Sequence, residues 1–342
     1  MENTLTIQWF PGHMTKAMRL MEKEIKLVDT IIYVLDSRAP FSCVNPKFEK
    51  LIDGKPIIYV FNKCDMSDMT KVDEWVKFFK KENTRCVTLD STASGSGKKV
   101  ESAIKDVLSS KIAKFKAKNM TPTLRAMVIG VPNCGKSTLI NNLCGKSKTI
   151  TGNKPGVTKG KQWVKIASGI ELLDMPGTLW PAFDNTNVAK HLAYIGSIKE
   201  EVLDIPELSV AFISDIREID RSLLEKRYNI QINDEDTDLE VLEKICQSRK
   251  YVVRGGDYDY DRCSFAIISD FKSGKLGQIC LESVKDLKKL TIKNRRQEKD
   301  VWLWIRVLKF GLQTNCGNGR SRAWAFGRAS LCCNCNNATW KR

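Results

Sequence analysis

The residues best suited to chemistry lie in one short loop, Gly130–Ser137 (GVPNCGKS), which matches the pattern G-x-x-x-x-G-K-[ST]. In that pattern the glycines let backbone N–H groups face phosphate oxygens at the start of a helix. Lys136 would then bridge the β- and γ-phosphates, and Ser137 would bind Mg²⁺. The apolar run Leu124–Ile129 and the helical pattern Thr138–Leu143 flank the loop as strand and helix. The sequence therefore predicts a nucleoside triphosphate site.

A second group of residues follows this phosphate loop and could complete a metal site. Asp174-Met175-Pro176-Gly177 closes the apolar run Ile170–Leu173. Its acidic residue can hold Mg²⁺ through water, and the Gly177 N–H can meet the γ-phosphate. Between the two lies Pro155-Gly156-Val157-Thr158, a segment that would be a switch ordered by the γ-phosphate. The order and spacing of these groups predict Mg²⁺ bound by Ser137, Thr158 and Asp174.

Two loops earlier in the chain could choose the base. In Asn62-Lys63-Cys64-Asp65, which follows the apolar run Pro56–Phe61, the Asp65 carboxylate can accept from both N1–H and the 2-amino group of guanine. Adenine lacks that pair of donors, so the loop selects GTP over ATP. Ser91–Gly97 resembles the remaining guanine loop, with Thr92 and Ala93 contacting O6 through the backbone. The residues predicted to bind nucleotide are Asn62, Lys63, Asp65, Thr92, Ala93, Asn133, Cys134, Gly135, Lys136, Ser137, Thr138, Pro176 and Gly177.

The order of these motifs is unusual, because the guanine-reading loops precede the phosphate loop, whereas most GTPases run the other way. A circularly permuted chain can form the same sheet, since the termini of compact α/β domains often lie close together. A consequence is that the segment after Gly177 leads directly into the C-terminal part of the chain. The nucleotide state could therefore be transmitted to whatever that part binds.

Hydrolysis needs a group that orients the attacking water, which Ras-like enzymes supply as a glutamine just after D-x-x-G. Here Thr178-Leu179-Trp180 occupies that position and cannot do so. Either the chain is a nearly inert switch or another group reaches in. The best candidate on chemical grounds is His13, one of 2 histidines, because an imidazole can accept a proton from water. The alternative is a surface or packing histidine, which is the role we expect for His191.

The elements that must position these residues alternate between short β-branched runs and amphipathic segments. Such alternation predicts a mostly parallel sheet with helices on both faces, as in a Ras-like GTPase domain in permuted order. Gln162–Ile166 and Ile170–Leu173 flank Ser168-Gly169 and predict an antiparallel hairpin. The other predicted strands are Thr30–Leu35, Pro56–Phe61, Arg85–Leu89 and Leu124–Ile129, and the predicted helices between them are Lys71–Lys81 and Lys98–Lys118.

The net charge is +16, from 56 Lys and Arg against 40 Asp and Glu. An excess of this size points to a polyanion partner, usually nucleic acid, with a membrane surface as the rival. Most of it lies in residues 285–342, where fourteen side chains are basic and three are acidic. Aromatic residues there could stack on RNA, although an adventitious extension fits equally well. The spacing of Cys316, Cys332, Cys333 and Cys335 does not match the paired knuckles of a zinc site.

Beyond residue 182 the pattern becomes helical, with predicted helices at Asn187–Glu201, Val210–Arg227, Leu239–Gln247 and Tyr258–Lys272. We predict a permuted GTPase domain over 1–182, a smaller all-α RNA-binding domain over 183–282, and a poorly ordered basic tail over 283–342. A solvated charged face is the alternative for the basic side chains of the helical domain. The candidate RNA contacts are Lys190, Lys199, Arg217, Arg221, Lys226 and Arg227, and Arg38 could either contact phosphate or rRNA or be an ordinary surface arginine.

Several classes of protein are excluded by what the sequence lacks. The apolar runs, such as Thr30–Leu35, are far shorter than the roughly 20 residues of a membrane span. No charged, apolar and small-residue leader opens the chain. The 12 cysteines lie mostly alone in apolar stretches and are expected to be small buried hydrophobes in a reducing compartment. We therefore expect a soluble, unexported protein.

Four further stretches, Ile7–Met14 (IQWFPGHM), Asp36–Pro40 (DSRAP), Asn45-Pro46 and Leu172–Pro181 (LLDMPGTLWP), join the motifs above in a specific pattern. From about residue 5 to about residue 282 the chain resembles the circularly permuted GTPases, and among them the ribosome biogenesis GTPase A (YlqF/RbgA) family. The resemblance implies a GTPase that binds precursor large-subunit rRNA in the GTP form and leaves after hydrolysis.

The resemblance also implies roles for individual residues. His13 would be catalytic, and Asn133 would help to coordinate K⁺ between the phosphates, so that hydrolysis is stimulated by K⁺ and by the ribosome. With the preceding arguments it predicts a cytoplasmic, ribosome-associated monomer that uses GTP and Mg²⁺ and has no membrane partner. The alternative is a GTP-gated RNA-binding module in which hydrolysis is incidental.

Overall fold

The structure, a computed structural model, describes residue 7 and residues 12–52, 54–145, 161–166, 168–180, 183, 185–285 and 287. For His13, Glu49 and Lys50 it describes the backbone only. The predicted switch residue Thr158 and the tail beyond residue 287 lie outside the described residues, as do residues 8–11 of the IQWFPGHM stretch.

The secondary structure alternates strands and helices up to residue 174 and is helical beyond it. The strands are β1 (Thr30–Asp36), β2 (Ile57–Asn62), β3 (Thr84–Thr88), β4 (Leu124–Ile129), β5 (Gln162–Lys165) and β6 (Ile170–Asp174). The helices are α1 (Gly12–Glu24), α2 (Glu49–Ile52), α3 (Met69–Phe79), α4 (Gly97–Val107), α5 (Ser109–Lys116), α6 (Lys136–Cys144), α7 (Thr186–Tyr194), α8 (Ile205–Asp220), α9 (Ser222–Tyr228), α10 (Asp238–Arg249) and α11 (Tyr260–Lys272). Within the described ranges, no helix has both the length and the apolar character needed to cross a membrane.

The six strands form one sheet in the order β3-β2-β1-β4-β6-β5. Every neighbouring pair is parallel except β5 and β6, which form the predicted antiparallel hairpin. All residues of the central strand β1 are buried, as expected for a parallel sheet covered by helices on both faces. The prediction of a mostly parallel α/β domain is therefore confirmed.

Several predicted boundaries differ from the observed ones for local reasons. The predicted helix Asn187–Glu201 ends at Tyr194, because Gly196 adopts a left-handed conformation (φ 78°) that terminates a helix. The predicted helix from Val210 instead begins at Ile205, where Asp204 caps the helix and Pro206 occupies its first turn. The predicted helix Lys98–Lys118 is two helices, α4 and α5, that meet at Leu108.

After α11 the chain returns to the edge of the sheet. Ile279 N donates to Met66 O at 3.1 Å, and Leu281 N donates to Arg38 O at 2.8 Å. The buried Glu282 carboxylate accepts from the backbone N–H groups of Phe41 and Ser42. These bonds fix the residues from 185 to 285, here called the helical segment, against the loops that follow β1 and β2.

Candidate nucleotide-binding site

The candidate site lies where four neighbouring strands end. Asp36 ends β1, Asn62 ends β2, Asp174 ends β6, and the phosphate loop begins directly after β4. Because parallel strands present their carboxyl ends at one edge of a sheet, these residues share that edge. Ligands of open α/β sheets bind there.

The phosphate loop is held in shape by close contacts that require glycine. Gly135 has a left-handed backbone (φ 97°), and a Cβ at that position would lie 2.1 Å from Asn62 Nδ2. Lys136 begins α6 and is buried, and its Nζ donates to Gly130 O at 3.1 Å and to Val131 O at 2.8 Å. Ser137 and Thr138 follow in the first turn of α6. These two hydrogen bonds fix the Lys136 ammonium against the backbone of the phosphate loop.

The first guanine-reading loop is tied directly to the phosphate loop. Asn62 Nδ2 donates to Cys134 O at 2.8 Å, and Asn62 Oδ1 accepts from Ser91 N at 2.9 Å. Lys63 Nζ donates to Asn133 O at 2.8 Å. One asparagine therefore joins both guanine loops to the phosphate loop, and the neighbouring lysine adds a second bond.

The residues expected to meet the base lie at the surface, where the backbone N–H groups of Thr92 and Ala93 donate to Asp90 in this structure. Asp65 lies in the turn after β2, and its side chain is exposed. Thr92 and Ala93 are also exposed, in the loop after β3. Asn142 Nδ2 on α6 donates to Ala93 O at 2.7 Å, which anchors that loop to the helix that the phosphate loop begins. The structure thus brings Asp65, Thr92 and Ala93 to the same edge of the sheet as Lys136.

Asp174 has the surroundings of a cation ligand. It is 1% exposed, and among the described residues neither of its carboxylate oxygens has a hydrogen-bond partner. Burial raises the pKa of Asp174 to about 6, although the Lys136 ammonium opposes this rise. A buried carboxylate without partners is costly unless it is protonated or faces a cation. These observations fit the predicted Mg²⁺ ligand.

The residues after Asp174 lie against the phosphate loop. Pro176 and Thr178 are buried, and Thr178 N donates to Gly130 O at 3.4 Å. A Cβ on Gly177 would lie 2.8 Å from Pro132 N and 3.0 Å from Lys136 Nζ. Only glycine allows the chain to pass so close to the loop at this point.

The described backbone places His13 in the first turn of α1. The next residue, Met14, is 1% exposed, and its Sδ accepts from Leu179 N at 3.5 Å. The start of α1 therefore packs against the segment that follows Gly177. This is the neighbourhood in which Ras-like enzymes carry the water-orienting glutamine.

A charged group that the sequence reasoning missed lies beneath the site. Asp36 is buried and accepts from Arg38 Nε at 2.9 Å, from Arg38 Nη2 at 2.8 Å and from Lys63 Nζ at 2.8 Å. Burial alone would raise the pKa of Asp36, but the two cations outweigh it and hold that pKa well below its usual range. The sequence does hold a signal for this buried group: Asp36 directly follows an apolar strand, at the sheet edge that carries the other motifs.

Two sequence-based interpretations of Arg38, as a surface arginine and as an rRNA contact, are wrong. Its side chain is 1% exposed, so it is neither a surface arginine nor available to rRNA. Besides Asp36, it donates to Phe271 O at 2.9 Å and to Lys272 O at 3.2 Å. The distance along the chain between Arg38 and α11 explains why no local pattern revealed this contact.

The helical segment also contacts the phosphate loop. Asn133 Nδ2 donates to Gly196 O at 2.7 Å, and Ser197 Oγ donates to Pro132 O at 2.7 Å. The side chain predicted to coordinate K⁺ thus contacts the turn after α7. No local sequence pattern predicts these two contacts.

Most of the basic side chains proposed as RNA contacts form ion pairs inside the helical segment. Candidate RNA contacts that form ion pairs within it are Lys190 with Asp215, Lys199 with Glu201, Arg217 with Asp238, Arg221 with Asp234, and Arg227 with Asp270. These pairs favour the solvated charged face for those five side chains. His191 lies between the helical segment and the loop after β1, with its Nδ1 2.9 Å from Glu282 Oε1 and 3.3 Å from Ser42 Oγ.

The described cysteines form no disulfide. Cys43, Cys134, Cys246, Cys263 and Cys280 are buried, which agrees with their expected role as small hydrophobes. Burial raises the pKa of the Cys134 thiol, so this loop cysteine is neutral at physiological pH. The four cysteines of the tail lie outside the described residues.

Comparison with known proteins gives a consistent result. The family model described as "50S ribosome-binding GTPase" matches residues 125–246. Ribosome biogenesis GTPase A of Bacillus cereus is 36% identical over 283 residues, which cover 82% of this chain and 95% of that protein. Its Bacillus pumilus counterpart is 37% identical over 279 residues, which cover 81% and 99%. The crystal structure of GNP-bound YlqF from T. maritima matches with a TM-score of 0.53 at 27% identity, covering 78% of this chain and 98% of that one.

Proposed function

The chain belongs to the ribosome biogenesis GTPase A family, and from this premise we propose that it is a GTP-hydrolysing assembly factor of the large ribosomal subunit. The observation that carries the proposal is the joining of three motifs at one sheet edge. Asn62 and Lys63 hydrogen-bond to carbonyls of the phosphate loop, and Asp174 ends the strand beside it. Such a site can bind base, phosphates and metal at once.

Nucleotide binding would use each part of this edge. Asp65 would select guanine, and the backbone of Thr92 and Ala93 would contact O6. Backbone N–H groups of Asn133 to Thr138 would face the phosphates at the N-terminus of α6, where the helix dipole favours an anion. Lys136 Nζ, which now bonds to two loop carbonyls, would exchange them for phosphate oxygens. Pro176 and Gly177 would close over the γ-phosphate.

Ser137 and Asp174 would hold Mg²⁺, with Thr158 as a further ligand from outside the described residues. The metal would neutralise charge on the β- and γ-phosphates. Asp174 supports this assignment because its two carboxylate oxygens are buried without a partner among the described residues. When ionised, Asp174 would help to fix the phosphates through the metal, and when protonated it would not.

His13 would accept a proton from the attacking water or hold that water in line with the γ-phosphate. Two observations support this assignment. Leu179 and Trp180 are buried apolar residues where a glutamine would otherwise stand, and Met14, next to His13, contacts Leu179. Asn133 would contribute to a K⁺ site that adds positive charge near the phosphates. Hydrolysis would therefore be stimulated by K⁺.

The helical segment would carry the nucleotide state to the ribosome. It contacts the phosphate loop at Pro132 and Asn133, so a change in that loop reaches the turn at Gly196 and Ser197 directly. In the GTP form the chain, a monomer in the cytoplasm, would bind rRNA of the precursor subunit. The ribosome would stimulate hydrolysis, after which the chain would leave.

The test is single-turnover GTP hydrolysis by the full chain, alone and with immature or mature large subunits, in K⁺ and in Na⁺. We expect subunits to stimulate hydrolysis in K⁺ buffer, and His13→Ala to lose the stimulated rate with its GTP affinity intact. Lys16→Ala is the control, because Lys16 is exposed on the same helix. Unchanged stimulated turnover in His13→Ala would contradict catalysis by His13 and favour a GTP-gated RNA-binding module. Equal rates in K⁺ and Na⁺ would contradict the K⁺ site.

A further inference from the structure

A buried ion network connects the helical segment to the nucleotide site. Its central residue, Asp36, is 0% exposed, and Arg38 beside it is 1% exposed. Removing charges from water costs several kcal/mol per ion, so a buried ion pair is weak evidence for a stabilising role. A contribution to stability does not by itself explain the network. The contacts at its two ends indicate another role.

One end of the network is the C-terminus of α11. Arg38 Nη1 donates to Phe271 O and to Lys272 O, two of the last carbonyls of the helix, whose dipole favours a cation there. The guanidinium carbon lies 4.8 Å from the centre of the Phe271 ring, within cation–π range. The Arg38 carbonyl also accepts from Leu281 N. Arg38 is therefore bound to the helical segment through its side chain and its backbone.

The other end of the network is Lys63, which lies in the first guanine-reading loop. Lys63 Nζ bonds to Asp36 Oδ2 and to Asn133 O, both at 2.8 Å. Lys63 also has a left-handed backbone (φ 59°), which is unfavourable for a residue with a Cβ unless its surroundings fix it. Among the described residues, the Lys63 ammonium bonds to Asp36 and to the phosphate loop, and these bonds fix the lysine in this conformation.

We propose that Asp36 and Arg38 are positioning residues, through which the docking of α11 sets the position of Lys63 and of the phosphate loop. A force that displaces α11 would loosen the Arg38 contacts, release Lys63 and speed nucleotide release. The proposal rests on the proposed function, because it concerns regulation of the same GTP site. A purely structural network would affect the stability of the fold but not nucleotide release in particular.

The test measures dissociation of a fluorescent N-methylanthraniloyl GDP from the full chain, chased with unlabelled GDP, alongside the melting temperature without nucleotide. The first variant is Arg38→Lys, which keeps a charge beside Asp36 but loses the planar fork that also reaches the α11 carbonyls. We expect dissociation to be about tenfold faster, because the variant loses charge-assisted hydrogen bonds to the α11 carbonyls. Phe271→Leu, which removes the ring but keeps an apolar side chain, should accelerate release to a smaller extent.

The matched control is Arg227→Lys, because Arg227 forms a similar two-bond pair with Asp270 on α11 but does not contact Asp36. It should lower the melting temperature and leave GDP release within twofold of the wild-type rate. Lys63→Met supplies a double-mutant cycle, in which Arg38→Lys should have much less effect once the lysine is gone. Additive effects in that cycle would overturn the proposal. So would a wild-type release rate in Arg38→Lys.

Failure of the underlying function gives a different result. If the wild-type chain does not bind GDP, the proposed GTPase function is wrong. If the wild-type chain binds GDP and the Arg38→Lys and Phe271→Leu variants release it at the wild-type rate, only the positioning role is wrong.

Discussion

Replacing Asp174 with asparagine should stabilise the nucleotide-free, metal-free protein. The raised pKa of about 6, against an ordinary value of 3.8, means that burial penalises the ionised carboxylate. A difference of about 2 units corresponds to about 3 kcal/mol at neutral pH. The asparagine amide resembles the protonated acid in shape and polarity, so most of this penalty should disappear in Asp174→Asn. The gain applies only without Mg²⁺, because the metal ligand is lost with the charge.

The pH dependence follows from the direction of the shift. The folded protein holds the Asp174 proton more tightly than the unfolded chain does, so this group favours the fold at low pH. Its contribution declines as the pH rises from about 4 to about 6. Asparagine does not titrate. The difference in unfolding free energy between Asp174→Asn and wild type should therefore be near zero below pH 4. It should increase in favour of the variant between pH 4 and pH 6, and it should stay constant above pH 6.

Urea unfolding in EDTA, at several pH values between 4 and 8, measures this difference. The control is Glu171→Gln in the same strand, whose carboxylate is paired with Arg125 and Lys165. Those bonds lower the pKa of Glu171, so its replacement should give no gain at neutral pH. Equal stability of Asp174→Asn and wild type at pH 7.5, or a less stable variant, would contradict a burial penalty on the ionised Asp174 carboxylate. In a GTP-binding assay, the variant should also lose the tightening that Mg²⁺ gives the wild type.

Two further predictions concern nucleotide recognition. Asp65→Asn should weaken GTP binding about a hundredfold, because two charge-assisted hydrogen bonds to guanine are weakened. The same variant should bind xanthosine triphosphate more tightly, since the 2-carbonyl of xanthine can accept from the asparagine amide. Competition titrations measure both affinities, and an unchanged preference for guanine would contradict the role of Asp65. Gly177→Ala should reduce GTP affinity far more than Gly169→Ala, since its Cβ would lie 2.8 Å from Pro132 backbone atoms while a Cβ on Gly169 meets nothing within 4 Å. Equal affinities in the two alanine variants would show that the close approach at Gly177 is unimportant.

The parts of the site that follow from local sequence could be predicted, and the parts that depend on distant contacts could not. The strand Leu124–Ile129 has the predicted bounds, and the motifs after it take the expected strand–loop–helix form. Helix boundaries at Ile205 and Gly196 depended on capping and a left-handed glycine, which the periodic pattern does not encode. Arg38 was misjudged because its partners lie more than 230 residues away, at Phe271 and Lys272.

The contact between Asn133 and Gly196 was missed for the same reason. The motif identified Asn133 as a residue of the site, but only the folded chain shows the turn of the helical segment against it. The net charge likewise did not predict whether the basic side chains of the helical segment are available to RNA. Its basic side chains Arg217 and Arg227 form ion pairs with neighbouring carboxylates.

GTP-dependent binding to the precursor subunit is tested by co-sedimentation of the chain with immature large ribosomal subunits in K⁺ buffer, with a non-hydrolysable GTP analogue or with GDP. We expect stoichiometric binding with the analogue and little binding with GDP, both for the full chain and after deletion of residues 285–342. Binding that is equal in the two nucleotide states, or that disappears with the deleted residues, would contradict it.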